Sequence, residues 1–397
     1  MPNQRYRLVI VGSGTGGVSV AARMMKSGQF KQGEVAIIDP AKNHYYQPLW
    51  TIVGAGVYDK KVTKKKQNDV IPNGVEWIKH LVSEFKPDEN LVMLDNGDLI
   101  LYEYLVVAAG IQIDWNKIAG LEGNLGKNGI CSNYSFDYVD KTWEFLKKTK
   151  AGDNLVFTQP PMPIKCAGAP QKIVYLADDF LRKNGLREHV KIDFNLAGPG
   201  IFGVPKYKAA LEKVLEEKKL QPNYEHNLVE VRAAEKIAIF EHKGERIEKK
   251  YDLLHVVPPM SSPDFIKRSP IADEGGWVDV DKYSLQHKKF SNIFSLGDCS
   301  SLPTSKTGAA IRKQAPVLVK NLLSLMKGDS LSAKYDGYAS CPLVTSYSTC
   351  ILAEFGYDGK IMETFPFDQA KPRRSMWILK AYLLSPMYWY GMLKGRA

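Results

Sequence analysis

Cysteine is scarce in this chain. There are five among 397 residues, Cys131, Cys166, Cys299, Cys341 and Cys350, and none has C-x-x-C spacing. So few and so scattered, they exclude a secreted disulfide scaffold and leave no zinc site expected. Long apolar runs are missing too. The blocks near the C-terminus, Ser375 to Leu384 and Met387 to Lys394, are about ten residues or fewer, too short to span a bilayer. No RNA- or DNA-binding signature accompanies the net charge of +11, so nucleic acid is not an expected partner. That charge suits an anionic membrane surface or an acidic substrate. Lys64-Lys65-Lys66 and Arg373-Arg374 are short runs that read as solvated faces. No signal or transit sequence precedes the first apolar run, so the expectation is a cytosolic protein or one whose targeting segment has been removed.

What is present is a folded composition, 44% hydrophobic and 24% charged, over a length that suggests two or three domains. Leu8-Val9-Ile10-Val11 runs into Gly12-Ser13-Gly14-Thr15-Gly16-Gly17 and then into small helix formers. This is the strand, loop and helix of a dinucleotide-binding unit: Gly12 for the tight turn, Gly14 for approach of a pyrophosphate, Gly17 for helix-on-strand packing. The helix start offers free N–H groups and a positive dipole end to phosphate. A second apolar strand, Val35 to Ile38, ends at Asp39, about 22 residues past Gly17, where a ribose-binding carboxylate belongs.

Further along, Asn43-His44-Tyr45-Tyr46-Gln47-Pro48-Leu49-Trp50 reads as a loop folding back over a bound nucleotide. Val75–Ile78 and Leu91–Leu94 read as strands, and Tyr104 to Gly110 as a buried strand ending in small residues. Asn292 to Asp298 is another apolar strand, closing on Gly297-Asp298, and a helix is expected from about Gly308, with Lys306 and Thr307 just ahead of it. A second glycine trio, Gly198, Gly200 and Gly203, follows the strand Val190 to Phe194 and precedes a helix over Lys206 to Lys219. Glu225 stands about 22 residues past Gly203, which raises an NAD(P)H site, although Gln221-Pro222-Asn223 makes a poor strand to carry that acid. The C-terminal blocks, split by Pro386 and rich in Trp and Tyr, have the composition of a membrane interface, with Arg373, Arg374, Lys380 and Lys394 available to lipid phosphates. The tail is expected to be removable without loss of the bound nucleotide. Cys166 stands just ahead of a helical run, Ile173 to Lys183, with Lys165 and Lys172 nearby, a setting that favours a reactive thiolate. Its partner is left open among Cys299, Cys341 and Cys350.

The chain resembles the eukaryotic, mitochondrial-type sulfide:quinone oxidoreductases, within the FAD-dependent pyridine-nucleotide-disulfide-reductase-like superfamily. The resemblance rests on His44-Tyr45-Tyr46-Gln47-Pro48, Lys165 to Lys172, Gly276 to Asp281, Leu302 to Thr307 and Tyr335 to Thr345, the second and last holding two cysteines. It implies an α/β fold of two Rossmann-like domains: an FAD domain in two parts (1–149 and 276–334), an inserted domain without NAD (150–275), and a C-terminal segment (335–397) with a monotopic membrane tail. It implies FAD held by Gly12, Gly14, Gly16, Gly17, Asp39, Gln47, Val82, Gly110, Asp298, Lys306, Thr307 and Gly308, with Asp298 on the ribityl side. It further implies a redox disulfide between Cys166 and Cys341, opened by hydrogen sulfide to leave a persulfide on Cys341. The sulfur would pass to glutathione or sulfite and two electrons through FAD to ubiquinone, peripherally at the mitochondrial inner membrane. The alternatives are a type II NADH:quinone oxidoreductase, which would need the second glycine trio, and a flavin-binding redox partner without turnover.

Overall fold

The computed structural model describes residues 4–397. Its first sheet is built on β1 (Gln4–Val11), whose last four residues are buried on both faces, as a central parallel strand requires. Beside it lie β2 (Val35–Ile38) and β8 (Leu99–Val107), both parallel to it. Beyond β2 comes β5 (Val75–Ile78); beyond β8, the antiparallel β7 (Leu91–Leu94) and β6 (Val82–Lys86). β18 (Ile293–Ser295) pairs with the end of β8, so the unit is completed by chain from far downstream. Helix α1 (Thr15–Lys26) connects β1 to β2 and packs against α7 (Gly308–Met326). The segment expected to be a loop over the nucleotide begins instead as a strand: β3 (Asn43–Tyr45) pairs with β4 (Lys64–Lys66), with the short helix α2 (Trp50–Val53) between them.

The second sheet repeats the plan. β11 (Asn154–Gln159) is central, with β12 (Lys191–Leu196) on one side, β16 (Leu253–His255) on the other and β10 (Ile130–Cys131) outermost, all parallel. β10 lies before residue 150, so this unit starts earlier in the chain than expected. Helix α3 (Val139–Lys147) leads into β11, and α4 (Ala169–Lys183) crosses from β11 to β12. β11 is the strand of this unit that enters the crossover helix α4, as β1 enters α1, so the counterpart of Gly12–Gly17 is the Pro160–Gly168 loop.

The Gly198–Gly203 trio sits one strand too late for a dinucleotide loop, between β12 and α5 (Pro205–Glu217). No strand carries Glu225: Asn223 makes only an isolated bridge to Asn195, and Glu225 is an exposed left-handed residue (φ 59°). A three-stranded antiparallel layer, β13 (Asn227–Arg232), β14 (Ile237–His242) and β15 (Glu245–Lys250), follows. The units are joined by β9 (Gln112–Ile113) pairing with β17 (Met260–Ser261), followed by the short α6 (Asp264–Lys267).

The C-terminal part opens with a buried hairpin, β19 (Ala339–Val344) and β20 (Cys350–Phe355). It ends in a helical run that starts with α8 (Arg374–Ile378) and continues to Lys394 through two π-type stretches, Leu379–Leu383 and Met387–Gly391. Pro386 does not split it. Its backbone is helical (φ −57°, ψ −43°), and the wide turns around it take up the missing N–H. One face of the run is buried through Met376, Trp377, Lys380, Ala381, Tyr388, Trp389, Met392 and Leu393. The other exposes Ile378, Tyr382, Leu383, Met387 and Tyr390. No helix among the described residues is long and apolar enough to cross a membrane.

This run is fastened to the glycine loop. The Ser13 carbonyl accepts from His44 Nδ1 (3.1 Å), so the neutral ring accepts at Nε2 from the Tyr388 hydroxyl (2.5 Å), which in turn pairs with Thr15 Oγ1 (2.9 Å). The tail is thus no detachable appendage: its excision would strip a buried partner from His44. Burial lowers the His44 pKa to about 4 and that of His255 to about 3. Unfolded imidazole titrates near ~6.5, so below that pH the unfolded chain binds protons that the folded chain does not. The stability tied to the two neutral rings is complete above pH ~6.5 and is lost as pH falls toward about 4, by up to about 1.4 kcal/mol per pH unit for each ring. Urea unfolding followed from about pH 7 to about pH 4.5 should show that decline; a free energy flat across the interval would contradict it.

Candidate active site

At the carboxyl ends of β1 and β2 the glycine loop is tightly determined. Gly12 has φ 100°, and a Cβ there would stand 2.4 Å from the Ala108 carbonyl oxygen; one on Gly17 would stand 1.8 Å from that of Gly12. Gly16 faces Ala108 and Leu296, between β8 and β18. Gly14, by contrast, has no atom within 4 Å of its Cβ position and lies exposed at the start of α1. That open cradle over free helix N–H groups fits a dinucleotide pyrophosphate. Asp39 holds the loop by accepting from Ser13 N (2.6 Å) and Ala41 N (2.8 Å), and Gln67 Nε2 donates to the Ser13 carbonyl (3.0 Å).

The other expected cofactor residues form a second group. Gly110 (φ 75°) follows the end of β8, and Asp298 follows β18 through Gly297, whose N–H donates to Gln314 on α7. Lys306 does not point freely at a ligand. Its Nζ donates to the Asp298 (2.6 Å) and Ser300 (3.3 Å) carbonyls and lies over the Trp277 ring. Thr307 caps α7 by accepting from Ala310 N, with Gly308 as the first helical residue. Burial raises the Asp298 pKa, against the opposing pull of Lys306 and Lys165. Gln47 is exposed at the start of a short turn, and Val82 is buried at the start of the edge strand β6.

The cysteine loop is built with equal economy. Cys166 adopts a left-handed conformation (φ 56°), donating its N–H to the Lys306 carbonyl (2.9 Å) and accepting from Ala169 N (2.8 Å). Helix α4 begins at Ala169, earlier than the Ile173 start expected, so Cys166 sits at its positive end. Of the partners left open for it, Cys341 on β19 is the one brought near: the two thiol sulfurs are 3.8 Å apart, beyond the ~2.05 Å of a disulfide. Gly168 permits the approach, because a Cβ there would stand 2.5 Å from Cys341 Sγ.

Lys172, one turn into α4 and buried, donates to Cys166 Sγ at 3.3 Å. The Cys341 thiol bonding to Cys166, together with the Lys172 charge, holds the Cys166 pKa well below the usual thiol range despite burial. The same contact, with burial, raises that of Cys341. Burial pushes Cys131 and Cys350 up to about 12 and raises Cys299.

Lys380 corrects an expectation. It was expected to meet lipid phosphate, yet its side chain is 2% exposed, donates to the Pro48 carbonyl (2.6 Å) and shares the field of Lys172, Cys166, Cys341 and Cys350. Burial, with Lys172 alongside, lowers its pKa to about 8. Its position was legible in spacing: Met376 and Lys380, like Trp377 and Ala381, are four apart and share the buried face.

Over residues 6–155 the chain matches the family described as pyridine nucleotide-disulphide oxidoreductase. The mitochondrial sulfide:quinone oxidoreductase of Dictyostelium discoideum is 50% identical over 392 residues, covering 98% of this chain and 86% of that protein. That of Mus musculus is 48% identical over 393 residues, covering 98% and 87%. The structure of the Aquifex aeolicus sulfide:quinone oxidoreductase superposes with a TM-score of 0.81 at 17% identity, covering 99% of this chain and 91% of that one. The chain belongs to the sulfide:quinone oxidoreductase family, whose members depend on FAD.

The charge arrangement makes a definite prediction for the reduced protein. Iodoacetamide near pH 6 should label Cys166 and leave Cys131, Cys299 and Cys350 unmodified. In Lys172→Met the labelling should slow roughly ten-fold or more and its pH profile should move upward. An unchanged profile would mean that Lys172 does not support the thiolate.

Proposed function

We propose that this chain is an FAD-dependent sulfide:quinone oxidoreductase of the mitochondrial inner membrane that oxidises hydrogen sulfide at a Cys166–Cys341 disulfide. The observation that carries the reading is the pair of sulfurs 3.8 Å apart with the Lys172 ammonium 3.3 Å from one of them. In the oxidised pair, hydrosulfide attacks the Cys341 sulfur. The S–S bond breaks, a persulfide forms on Cys341, and the electron pair leaves with Cys166 as a thiolate. Cys166 is the better leaving group because Lys172 and the α4 N-terminus stabilise its anion. The persulfide's outer sulfur passes to an acceptor, glutathione or sulfite. The residues of the two glycine-ended strand groups would hold FAD, which would supply a two-electron acceptor for Cys166 and Cys341 as their bridge re-forms and a two-electron donor to ubiquinone.

An NADH-driven reaction is disfavoured because the dinucleotide position of the second unit is the Pro160–Gly168 loop that carries Cys166. The membrane contact falls to the outer face of the C-terminal run, where Tyr382 (55% exposed), Leu383 (56%) and Tyr390 (64%) stand bare. A run with one face packed on protein and the other apolar lies in the interface rather than across it.

In anaerobic stopped flow, sulfide should bleach the flavin, and NADH should not. Cys166→Ser and Cys341→Ser should each slow bleaching by sulfide on the order of a thousand-fold or more, with Cys131→Ser and Cys350→Ser close to wild type. Near wild-type bleaching in either of the first pair would refute the mechanism. Separately, the double change Tyr382→Ser/Leu383→Ser should weaken binding to phosphatidylcholine vesicles about ten-fold or more and leave sulfide-driven bleaching in detergent intact. Undiminished vesicle binding would remove the outer face as the anchor.

A further inference from the structure

The lysine run in β4 is not a featureless solvated face. Between the β3–β4 hairpin and the end of the C-terminal run lies an open bay of about 650 Å³, lined by Asn43, Lys64, Lys65, Lys66, Asp69, Val70, Trp389, Tyr390 and Lys394. Four of these residues are cationic and one, Asp69, is anionic. Lys65 lies over both the Trp389 (4.7 Å) and Tyr390 (4.9 Å) rings, so its charge is fixed at the inner wall of the bay, while Lys64, Lys66 and Lys394 are exposed around it. Lys64 Nζ also lies over Phe136 (5.1 Å), and among the described residues Lys66 has no acidic partner within 4.0 Å. Tyr390 belongs at once to this bay and to the bare apolar face formed with Tyr382, Leu383 and Met387. The cationic bay is thus the margin of the apolar patch, and only one acid balances it.

We propose that this bay seats the phosphate of an anionic phospholipid from the bilayer, with Lys64, Lys66 and Lys394 around the headgroup and Lys65 at its inner wall. Tyr382, Leu383 and Met387 then meet the acyl chains. Aromatic and basic side chains in this succession occupy the water, headgroup and acyl levels of an interface. The proposal rests on the membrane reading given above and adds a preference to it: the tail supplies attachment to any bilayer, and the bay makes an anionic one better. Each lysine near an anionic surface is worth about 1 kcal/mol, or roughly five-fold in affinity.

The test is binding of the FAD-loaded enzyme to vesicles of phosphatidylcholine alone and of phosphatidylcholine with phosphatidylglycerol. The wild type should bind both and prefer the second. Lys64→Gln/Lys66→Gln should bind neutral vesicles as the wild type does and lose roughly thirty-fold of its affinity for the anionic ones. Lys191→Gln/Lys243→Gln, the same change of charge on the second unit, should keep the preference. An anionic preference that survives in Lys64→Gln/Lys66→Gln, or disappears equally in Lys191→Gln/Lys243→Gln, overturns the bay as its source. Wild-type binding to neutral vesicles with no anionic preference overturns the bay and leaves the tail reading standing; binding to neither overturns both. In a parallel arm without vesicles, inorganic phosphate should not raise the melting temperature of the wild type above that of Lys64→Gln/Lys66→Gln. If it does, the bay is a site for soluble phosphate and the lipid assignment falls.

Discussion

Two ammonium groups shut away from water beside one sulfur are the constraint around which this structure is arranged. Removing an ion from water costs several kcal/mol even after relaxation, so buried lysines persist only where an anion or well-placed acceptors compensate. Lys172 has the Cys166 sulfur, and Lys380 has the Pro48 carbonyl. These contacts join three parts of the chain that are remote in sequence. Lys172 comes from the first turns of α4, Lys380 from the C-terminal run, and Pro48 from the segment between β3 and α2. The positive field that makes Cys166 an anion therefore also helps hold the C-terminal part against the two sheet units.

The two units use one device for two kinds of anion. In each, a central strand enters a crossover helix, and the loop between the two delivers the chain to that helix's positive end. After β1 that loop is glycine, and the open backbone at Gly14 suits a phosphate. After β11 it carries prolines and a left-handed Cys166, and the sulfur occupies the corresponding ground. Helix N-termini favour phosphate and thiolate for the same reason, unpaired N–H groups and the dipole. Where the thiol stands at this position, the helix end faces sulfur and not an open glycine backbone.

Much of this was legible in the sequence wherever the signal was local. The Gly12–Gly17 loop, Asp39 after β2, Gly297-Asp298 after β18 and the α7 start at Gly308 each follow from a short string whose spacing carries its own geometry. The corrections and the points left open fall where topology decides. Gly198, Gly200 and Gly203 have the residues of a nucleotide loop, but no string tells which strand of a unit it follows. β10 lies before residue 150 and yet pairs in the second sheet, a long-range fact with no local mark. Pro386 suggested a break because its missing N–H is a local cost, whereas the π-type turns that absorb it depend on packing. Lys380 looked like a lipid contact while its neighbours were weighed only for composition; the four-residue spacing on the docked face was the available signal.

The C-terminal run also fixes a distance. Tyr382 is on its bare face and Lys380, beside the sulfurs, on its covered one. A helix with its side chains is about 10–12 Å across. The exposed surface at Tyr382 is therefore separated from the paired sulfurs by the thickness of a single helical element. The protein's wall on that side is one layer deep.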